Sequence, residues 1–188
     1  MANARSRSSQ LSLTSQSPEE TRAYAASLTR SWVQEQEASR PLPILLSGDL
    51  GAGKTVFVKG LAEGLGLEAD AVSSPTFVLA NQYACPGGLF LHHVDFYRLE
   101  SFAELEEMGF FELGGERSVL VVEWGDRFLD ALAQDRLEVS LSRLSEVGPE
   151  ARLLEIQAMG PASDEQLQHW ERTVKNRPFG DGREATSD

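Results

Sequence analysis

The first regular pattern along the chain has the spacing of a helix. Apolar residues recur at intervals of about one helical turn and form a single stripe, made of Tyr24, Leu28, Trp32 and Val33. Ser17 and Glu20 stand at the start of this stripe as a capping box, a pair that satisfies the first main-chain N–H groups of a helix. The pattern therefore predicts a helix over residues 18 to about 37.

A short apolar run, a glycine-rich turn and a second helical pattern come next. Residues 44–46 are continuously apolar, which is typical of a strand buried on both faces of a parallel sheet. Glycines punctuate residues 48–53, and a helical pattern then runs over residues 54–64. The order strand, loop, helix predicts a sheet covered by helices.

The rest of the chain carries further strand patterns and two short helices. Strands are predicted over residues 77–84, 89–94, 118–123, 137–144 and 153–158. Ser101 and Glu104 form a second capping box that opens a short acidic helix, and another helix is predicted over about residues 126–133. Together these elements predict an α/β fold with a mostly parallel central sheet flanked by helices.

The composition is that of an ordinary globular protein, and the two ends of the chain are more polar than its centre. Of its 188 residues, 41% are hydrophobic and 24% are charged. Residues 1–12 and 161–188 are polar, so we expect a flexible leader at one end and a partly helical, then disordered, polar tail at the other. One folded domain over residues 13–160 is the resulting prediction.

The charge and the cysteine count exclude several classes of protein. Twenty-nine acidic residues against 17 basic ones give a net charge of −12, which argues against DNA binding because DNA-binding proteins present a basic face. The single cysteine, Cys85, excludes an internal disulfide and a multi-cysteine zinc site. With no secretory signal and no apolar run near the roughly 20 residues that span a bilayer, we expect a cytoplasmic protein without membrane contact.

Residues 48–55 carry the strongest chemical signal. Their sequence, GDLGAGKT, matches G-x-x-x-x-G-K-[ST] between a predicted strand and a predicted helix, as a phosphate-binding P-loop requires. Glycines bring main-chain N–H groups to phosphate oxygens, Lys54 bridges the β and γ phosphates, and the Thr55 hydroxyl binds Mg²⁺ in such loops. The nucleotide contacts predicted here are Leu50, Gly51, Ala52, Gly53, Lys54 and Thr55. The fold prediction thus becomes a P-loop NTPase.

Two carboxylates stand where predicted strands end. Asp95 follows residues 89–94, and Glu123 ends residues 118–123. Because the carboxyl ends of parallel strands converge on the ligand, both are candidates for binding Mg²⁺ and for positioning the attacking water. Which of them contacts Mg²⁺ directly stays open, and each could instead be a solvated acid at a strand end.

Four further polar residues near these carboxylates are candidates either for the site or for structural roles. Thr76, in the segment SPTF, is a candidate sensor of the γ-phosphate, although a plain turn would use similar residues. His92 and His93 are consecutive in one strand and point to opposite faces, so a shared metal is not expected and polar packing is predicted for both. Tyr97 is predicted to pack.

Five segments, taken in order, carry a family resemblance. They are GDLGAGKT at 48–55, SPTF at 74–77, HVDFYRL at 93–99, ELEEMGF at 104–110 and VVEW at 121–124. Together they make the chain resemble the TsaE family, also called YjeE, over about residues 12–145. Members of that family are bacterial P-loop ATPases required to make threonylcarbamoyladenosine on tRNA. They act with the TsaB–TsaD pair after TsaC supplies the activated intermediate.

The resemblance implies cofactors, partners and an activity for this chain. It implies ATP and Mg²⁺ as cofactors and an ATP hydrolysis that is slow for the chain alone. It also implies a TsaB–TsaD heterodimer as partner, with tRNA reached only indirectly through that complex. Transferred residue by residue, it assigns phosphate and Mg²⁺ contacts to Lys54 and Thr55 and the remainder of the metal and hydrolysis site to Asp95 and Glu123.

Three positions outside the loop also follow from the resemblance, and two depart from it. It implies that Thr76 lies in a nucleotide-sensitive loop, that Trp124 sits beside the nucleotide pocket, and that the segment around Glu20 reaches the adenine. After Glu-Trp the family usually has Pro or Ala and then Glu, whereas Gly125 and Asp126 follow here. Any role of that glutamate would therefore pass to a shorter acid.

Two other functions use the same phosphate cradle. A small-molecule P-loop kinase would pass the γ-phosphate to a hydroxyl, but it needs a water-excluding lid with arginines, and the chain has no arginine-rich insertion. A non-catalytic nucleotide switch would only order a docking surface. A GTPase is disfavoured because no N-K-x-D segment is present.

Overall fold

The computed structural model describes residues 9–34, 40–75 and 79–176, and all the statements below refer to these residues. Its strands are β1 (Gln10–Ser15), β2 (Leu42–Ser47), β3 (Ala80–Cys85), β4 (Leu89–Asp95), β5 (Ser118–Glu123), β6 (Leu137–Arg143) and β7 (Arg152–Ala158). Its α-helices are α1 (Pro18–Gln34), α2 (Lys54–Gly64), α3 (Phe102–Glu107) and α4 (Pro161–Asn176). Short 3₁₀ segments cover Ala69–Ala71, Pro86–Gly88, Phe110–Glu112 and Gly125–Ala131.

The seven strands of the described residues form one sheet in the order β1-β7-β6-β2-β5-β4-β3. Its centre is parallel, since β2 pairs in parallel with both β5 and β6, and β4 pairs in parallel with β5. The edges are antiparallel: β1 and β6 flank β7, and β3 forms a hairpin with β4. This arrangement confirms the predicted α/β fold with a mostly parallel central sheet. The carboxyl ends of β2, β4 and β5 consequently meet at one edge.

Two apolar layers hold this sheet from opposite faces. Helices α1, α2 and α4 cover one face, where Leu28, Trp32, Phe57 and Trp170 belong to one buried cluster with the sheet. On the other face Phe96 contacts Phe110 and Phe128 edge-to-face, with ring centroids 5.0 and 5.6 Å apart. Because β2 and β5 are buried on both sides, the strand ends that carry the candidate site are fixed in place.

Both predicted capping boxes form, with a difference in detail. The Ser17 hydroxyl accepts the Glu20 N–H at 3.2 Å, and the Ser101 hydroxyl accepts the Glu104 N–H at 3.4 Å. The Glu20 carboxylate reaches one residue further back than expected and accepts the N–H of Gln16 at 2.7 Å. Helix α1 starts as predicted at Pro18, and its predicted end at residue 37 lies outside the described residues.

Both ends of the folded unit extend beyond the predicted domain of residues 13–160. Strand β1 begins at Gln10, because the alternation of Leu11 and Leu13 lets it pair with β7 at the edge of the sheet. Residues 161–176 are the helix α4, which buries Leu167 and Trp170 against the core. These residues are spaced as one helical stripe within a polar segment, so the helical part that was predicted for the tail packs on the folded unit.

Two predicted elements differ locally from the structure. Residues 126–133 were expected as an α-helix, but Gly125–Ala131 is a 3₁₀ segment interrupted at Phe128, whose φ of −131° is not helical. Phe128 turns its ring into the core there, which breaks the helical repeat. The strand expected over residues 77–84 is β3, which starts at Ala80, and the part expected over residues 77–78 lies outside the described residues.

Asp135 anchors the start of α4. Its carboxylate accepts the main-chain N–H groups of Ala162 and Ser163, each at 2.8 Å. Burial alone would raise the pKa of Asp135, but these hydrogen bonds and the nearby charge of Arg40 outweigh burial and hold the pKa below its ordinary value of 3.8. The ionised carboxylate is therefore the form that stabilises the docking of α4.

Asp135→Ala should lower the free energy of unfolding by about 1 kcal/mol at pH 7, the usual effect of removing a helix cap. Because folding lowers the pKa from 3.8, the contribution is complete above about pH 4 and disappears as the pH falls below it. Urea denaturation at both pH values measures this, with Asp130→Ala at an exposed position as the control. A deficit of equal size at pH 7 and at pH 3 would contradict the assignment.

Candidate nucleotide-binding site

The loop between β2 and α2 has the backbone that a phosphate cradle needs. Gly48, Gly51 and Gly53 adopt positive φ values of 136°, 76° and 109°. A Cβ on Gly48 would overlap the carbonyl oxygen of Leu141, so this position accepts only glycine. In the part of the chain that the structure describes, no side chain caps the start of α2 at Gly53. The amino end of α2 is therefore available to an anion.

A cavity of about 590 Å³ lies against this loop. This volume falls within the range of about 300–1,000 Å³ that is typical of small-molecule sites. Its lining includes the loop residues Leu50, Gly51, Gly53, Lys54 and Thr55, the strand-end residues Asp95, Glu123 and Trp124, and Val56, Ser74, Tyr97 and Arg152. Most of the predicted site residues are thus brought to one cavity.

Asp95 and Glu123 sit side by side at the carboxyl end of the sheet. They are register partners in the parallel pair of β4 and β5, and each residue is only 3% exposed. Glu123 is also the register partner of Leu46 in β2, the strand that leads into the glycine loop. Asp95 lies one strand further away, and its Oδ1 accepts the N–H of Tyr97 at 2.9 Å. The two carboxylates differ, therefore, in their distance from the loop along the sheet.

Lys54 is held inside the loop that it follows. Its ammonium group donates to the carbonyl oxygens of Gly48 at 2.7 Å and Asp49 at 3.3 Å. The Nζ atom lies 4.0 Å from Glu123 Oε2 and 4.4 Å from the centre of the Trp124 ring. The positive charge is therefore placed between the loop and the buried carboxylate, over the face of an aromatic ring.

Two aromatic side chains border the cavity. Trp124 has a positive φ of 59°, which turns the chain sharply directly after β5. The Tyr97 ring lies 5.4 Å from the Trp124 ring, and Tyr97 is 60% exposed. Tyr97, predicted as a packing residue, both packs on Trp124 and lines the cavity.

A buried histidine that was not predicted as a site residue contacts Glu123. His93 Nε2 lies 2.8 Å from Glu123 Oε1, and the His93 side chain is fully buried. The sequence held two signals. His93 opens HVDFYRL, one of the segments that carry the family resemblance, and it stands two residues before Asp95, which in a strand places both side chains on the same face.

Two arginines that no motif indicated also contact the loop. Arg152 Nε donates to the carbonyl oxygen of Ala52 at 2.8 Å, and Arg143 Nη2 donates to that of Leu50 at 3.5 Å. Arg143 and Arg152 are cross-strand partners in β6 and β7. Since only the pairing of these strands brings them to the loop, the local sequence held no sign of them. They add positive charge beside the cradle without a lid insertion.

Three predicted contacts are not seen at the cavity. Glu20 lies at the start of α1, where it accepts hydrogen bonds from Gln16 and Tyr24. It does not line the cavity, so its contact with adenine stays a prediction. Thr76 lies outside the described residues, although its neighbour Ser74 lines the cavity. Ala52 is fully buried, and its N–H donates to the Asp49 carbonyl at 3.0 Å while its own carbonyl accepts from Arg152.

The oxygen atoms at the cavity fit magnesium better than a transition metal. Among the described residues, no group of three or more His, Cys, Asp and Glu side chains could hold a metal ion. The cavity does present the Thr55 hydroxyl and the carboxylates of Asp95 and Glu123. Mg²⁺ prefers such hard oxygens and usually takes only one or two protein ligands beside phosphate and water. The residues present therefore fit a magnesium ion that enters with a nucleotide.

Comparisons with known proteins agree with this architecture. A family profile described as "Threonylcarbamoyl adenosine biosynthesis protein TsaE" matches residues 15–152. The chain is 39% identical over 143 residues to the TsaE protein of Bacillus subtilis, covering 76% of this chain and 82% of that protein. It is 41% identical over 120 residues to TsaE of Streptomyces coelicolor, covering 62% of this chain and 80% of that protein.

A solved structure shows the same fold. The crystal structure of Bacillus subtilis YdiB superposes with a TM-score of 0.65 at 32% sequence identity, covering 89% of this chain and 98% of that one.

Among the described residues, no helix combines the length and the hydrophobicity that a membrane-spanning segment requires. On the family match and these relatives, the chain belongs to the TsaE family, whose members are proteins of threonylcarbamoyladenosine biosynthesis on tRNA.

Proposed function

We propose that this chain binds ATP with Mg²⁺ and hydrolyses it in support of threonylcarbamoyladenosine modification of tRNA by a TsaB–TsaD complex. One observation carries the proposal: Lys54, Thr55, Asp95 and Glu123 converge on a single cavity beside a glycine loop of P-loop shape. A nucleotide triphosphate needs a cationic cradle, a magnesium ligand and a carboxylate near the γ-phosphate, and these four residues can supply all three.

ATP binding would rest on main-chain groups and on one buried cation. The loop amides and the amino end of α2 hold the phosphates, and Lys54 moves its donors from loop carbonyls toward the β and γ phosphates. This arrangement lets a chain of net charge −12 bind a polyanion without a basic surface. Trp124 and Tyr97 form an aromatic wall along the same cavity.

The two carboxylates would have different roles in hydrolysis. We assign Mg²⁺ binding to Thr55 and Glu123, because Glu123 lies on the strand paired directly with the loop-bearing β2. Asp95, one strand further, would orient the attacking water. The bound Mg²⁺ offsets the phosphate charge that develops during transfer.

The cavity mouth offers a reason why hydrolysis by the chain alone would be slow. Leu50 at the tip of the loop is 89% exposed and Tyr97 is 60% exposed, so the mouth of the cavity is open to solvent. Water exclusion strengthens the electrostatic contacts in an active site. A TsaB–TsaD complex covering this mouth would therefore raise the rate, and tRNA would be reached only through that complex.

The proposal is tested by measuring phosphate release from Mg-ATP with and without the TsaB–TsaD pair, alongside ATP binding. Slow release by the chain alone and faster release with the pair are expected. Tight ATP binding without release under either condition would replace the ATPase with a nucleotide switch. Transfer of the γ-phosphate to an added small hydroxyl compound would replace it with a kinase. A pull-down of the pair in the presence of ATP tests the partner directly.

Asp95→Asn should lower the turnover number by about 100-fold, the usual contribution of a group that positions or deprotonates water. The amide keeps the shape of the side chain and can still accept the Tyr97 N–H. Half-saturating Mg²⁺ should stay near the wild-type value, whereas Glu123→Gln should raise it. Magnesium titrations of both variants decide this, and the reverse pattern would exchange the two roles.

A further inference from the structure

We propose that His93 is a positioning residue that holds the Glu123 carboxylate in its working orientation. The inference rests on the function proposed for Glu123 and extends it to a residue outside the P-loop. It starts from one contact: His93 Nε2 lies 2.8 Å from Glu123 Oε1, and both side chains are buried, with 0% and 5% of their surfaces exposed. Polar groups buried this deeply need hydrogen-bond partners within the protein, and these two side chains serve as partners for each other.

The backbone fixes the two groups relative to each other. His93 is the register partner of Val121 in the parallel pair of β4 and β5. It therefore lies beside the position two residues before Glu123 on the neighbouring strand. The N–H of Phe96 donates to the Glu123 carbonyl at 3.0 Å and ties the two strand ends together. The pairing of the two strands therefore fixes the positions of the two backbones from which these side chains reach each other.

The second ring nitrogen determines which atom donates. His93 Nδ1 is buried and has no hydrogen-bond partner among the described residues. A hydrogen on Nδ1 would therefore be a buried donor without an acceptor, which is unfavourable. A hydrogen placed on Nε2 avoids this, and Nε2 then donates to Glu123 Oε1.

This hydrogen bond determines what Glu123 presents to the cavity. The terminal torsion of a glutamate is broad, so an unrestrained carboxylate samples many orientations. With Oε1 engaged by His93, Oε2 remains on the side of Lys54, whose Nζ lies 4.0 Å away. One carboxylate oxygen is thereby directed to the place where phosphate and Mg²⁺ would bind. Outer hydrogen bonds of this kind orient the ligands of metal sites.

The adjacent histidine provides a matched comparison. His92 is also buried and also has an unpartnered Nδ1 among the described residues, but it occupies the opposite face of β4. Its ring stacks near Phe90, with centroids 6.3 Å apart, and it does not line the cavity. Simple packing therefore accounts for His92, whereas His93 contacts a functional carboxylate.

The kinetic test uses His93→Leu, His93→Gln and the control His92→Leu in the full chain with TsaB–TsaD. His93→Leu should lower the turnover number by roughly 10–100-fold and raise half-saturating Mg²⁺, with little change in KM for ATP. His93→Gln keeps a donor near the position of Nε2 and should recover most of the activity. His92→Leu should stay close to wild type. Equal behaviour of the two leucine variants, or no recovery with glutamine, would overturn the proposal.

A second readout does not depend on turnover. Side-chain ¹H–¹⁵N correlation spectra of the free protein should show His93 with its hydrogen on Nε2, and this resonance should shift in Glu123→Gln while that of His92 does not. A hydrogen on Nδ1, or a His93 resonance that does not shift in Glu123→Gln, would refute the contact itself. If the wild type releases no phosphate under any condition, the proposed ATPase fails, and the spectra still decide whether His93 orients Glu123.

Discussion

Glu123→Ala is expected to reduce ATP hydrolysis on the order of 1,000-fold, because it removes a magnesium ligand and the carboxylate nearest the loop together. ATP affinity measured without Mg²⁺ should change by less than about tenfold, or 1.4 kcal/mol. The reason is that phosphate binding would rest on the loop amides and Lys54. Lys54 keeps its hydrogen bonds to Gly48 and Asp49 when the carboxylate is removed. Phosphate release and calorimetric titration of ATP measure the two effects.

Glu123→Gln separates the loss of charge from the loss of shape. The glutamine carbonyl can still accept the hydrogen bond from His93, so the local packing is preserved. The glutamine variant should be almost as inactive as the alanine variant but should melt closer to wild type. Turnover at the wild-type rate in either variant would remove Glu123 from the mechanism.

Lys54→Ala is expected to weaken ATP binding by roughly 100-fold, since hydrogen bonds to charged groups contribute about 1.5–3 kcal/mol each. The ammonium group donates to two carbonyl oxygens of the loop and lies 4.0 Å from Glu123. Its removal takes away a phosphate contact and also leaves Glu123 without its nearest positive charge. Titration of ATP followed by Trp124 fluorescence measures the change, because Trp124 lies 4.4 Å from the Lys54 Nζ.

Lys175→Ala is the matched control for this variant. Lys175 lies on α4 with a side chain that is 69% exposed, paired with Glu171, and it is absent from the cavity lining. The control loses the same charge from the protein, so general electrostatic effects on ATP binding cancel. ATP affinity of Lys54→Ala equal to that of the control would mean that the loop does not bind phosphate as proposed.

The parts of this protein that were predictable are those encoded by neighbouring residues. The P-loop was recognisable because three glycines, Lys54 and Thr55 stand within eight consecutive residues and act through their own backbone. Helix α2 runs over the predicted residues, since the loop fixes its start. Asp95 and Glu123 were found because strand ends converge in a parallel sheet, whatever the connections between the strands are.

The misplaced boundaries have a common cause. Strand β1 and helix α4 are both polar segments with a few well-spaced apolar residues. Taken alone, neither buries enough apolar surface to offset its loss of conformational entropy. Each becomes stable on a surface formed elsewhere in the chain: β1 pairs with β7 as the edge strand of the sheet, and Trp170 of α4 packs against Ser27 of α1.

Residue spacing alone thus predicted the glycine loop and the buried strands, because each depends on contacts within a turn or a strand, and it placed the two carboxylates at strand ends. Only the tertiary structure decided which distant groups surround them. Arg152 is 100 residues from the Ala52 carbonyl that it contacts, and His93 is 30 residues from Glu123. Such pairs are made by strand order and register, and these are settled by packing of the whole core rather than by local preference.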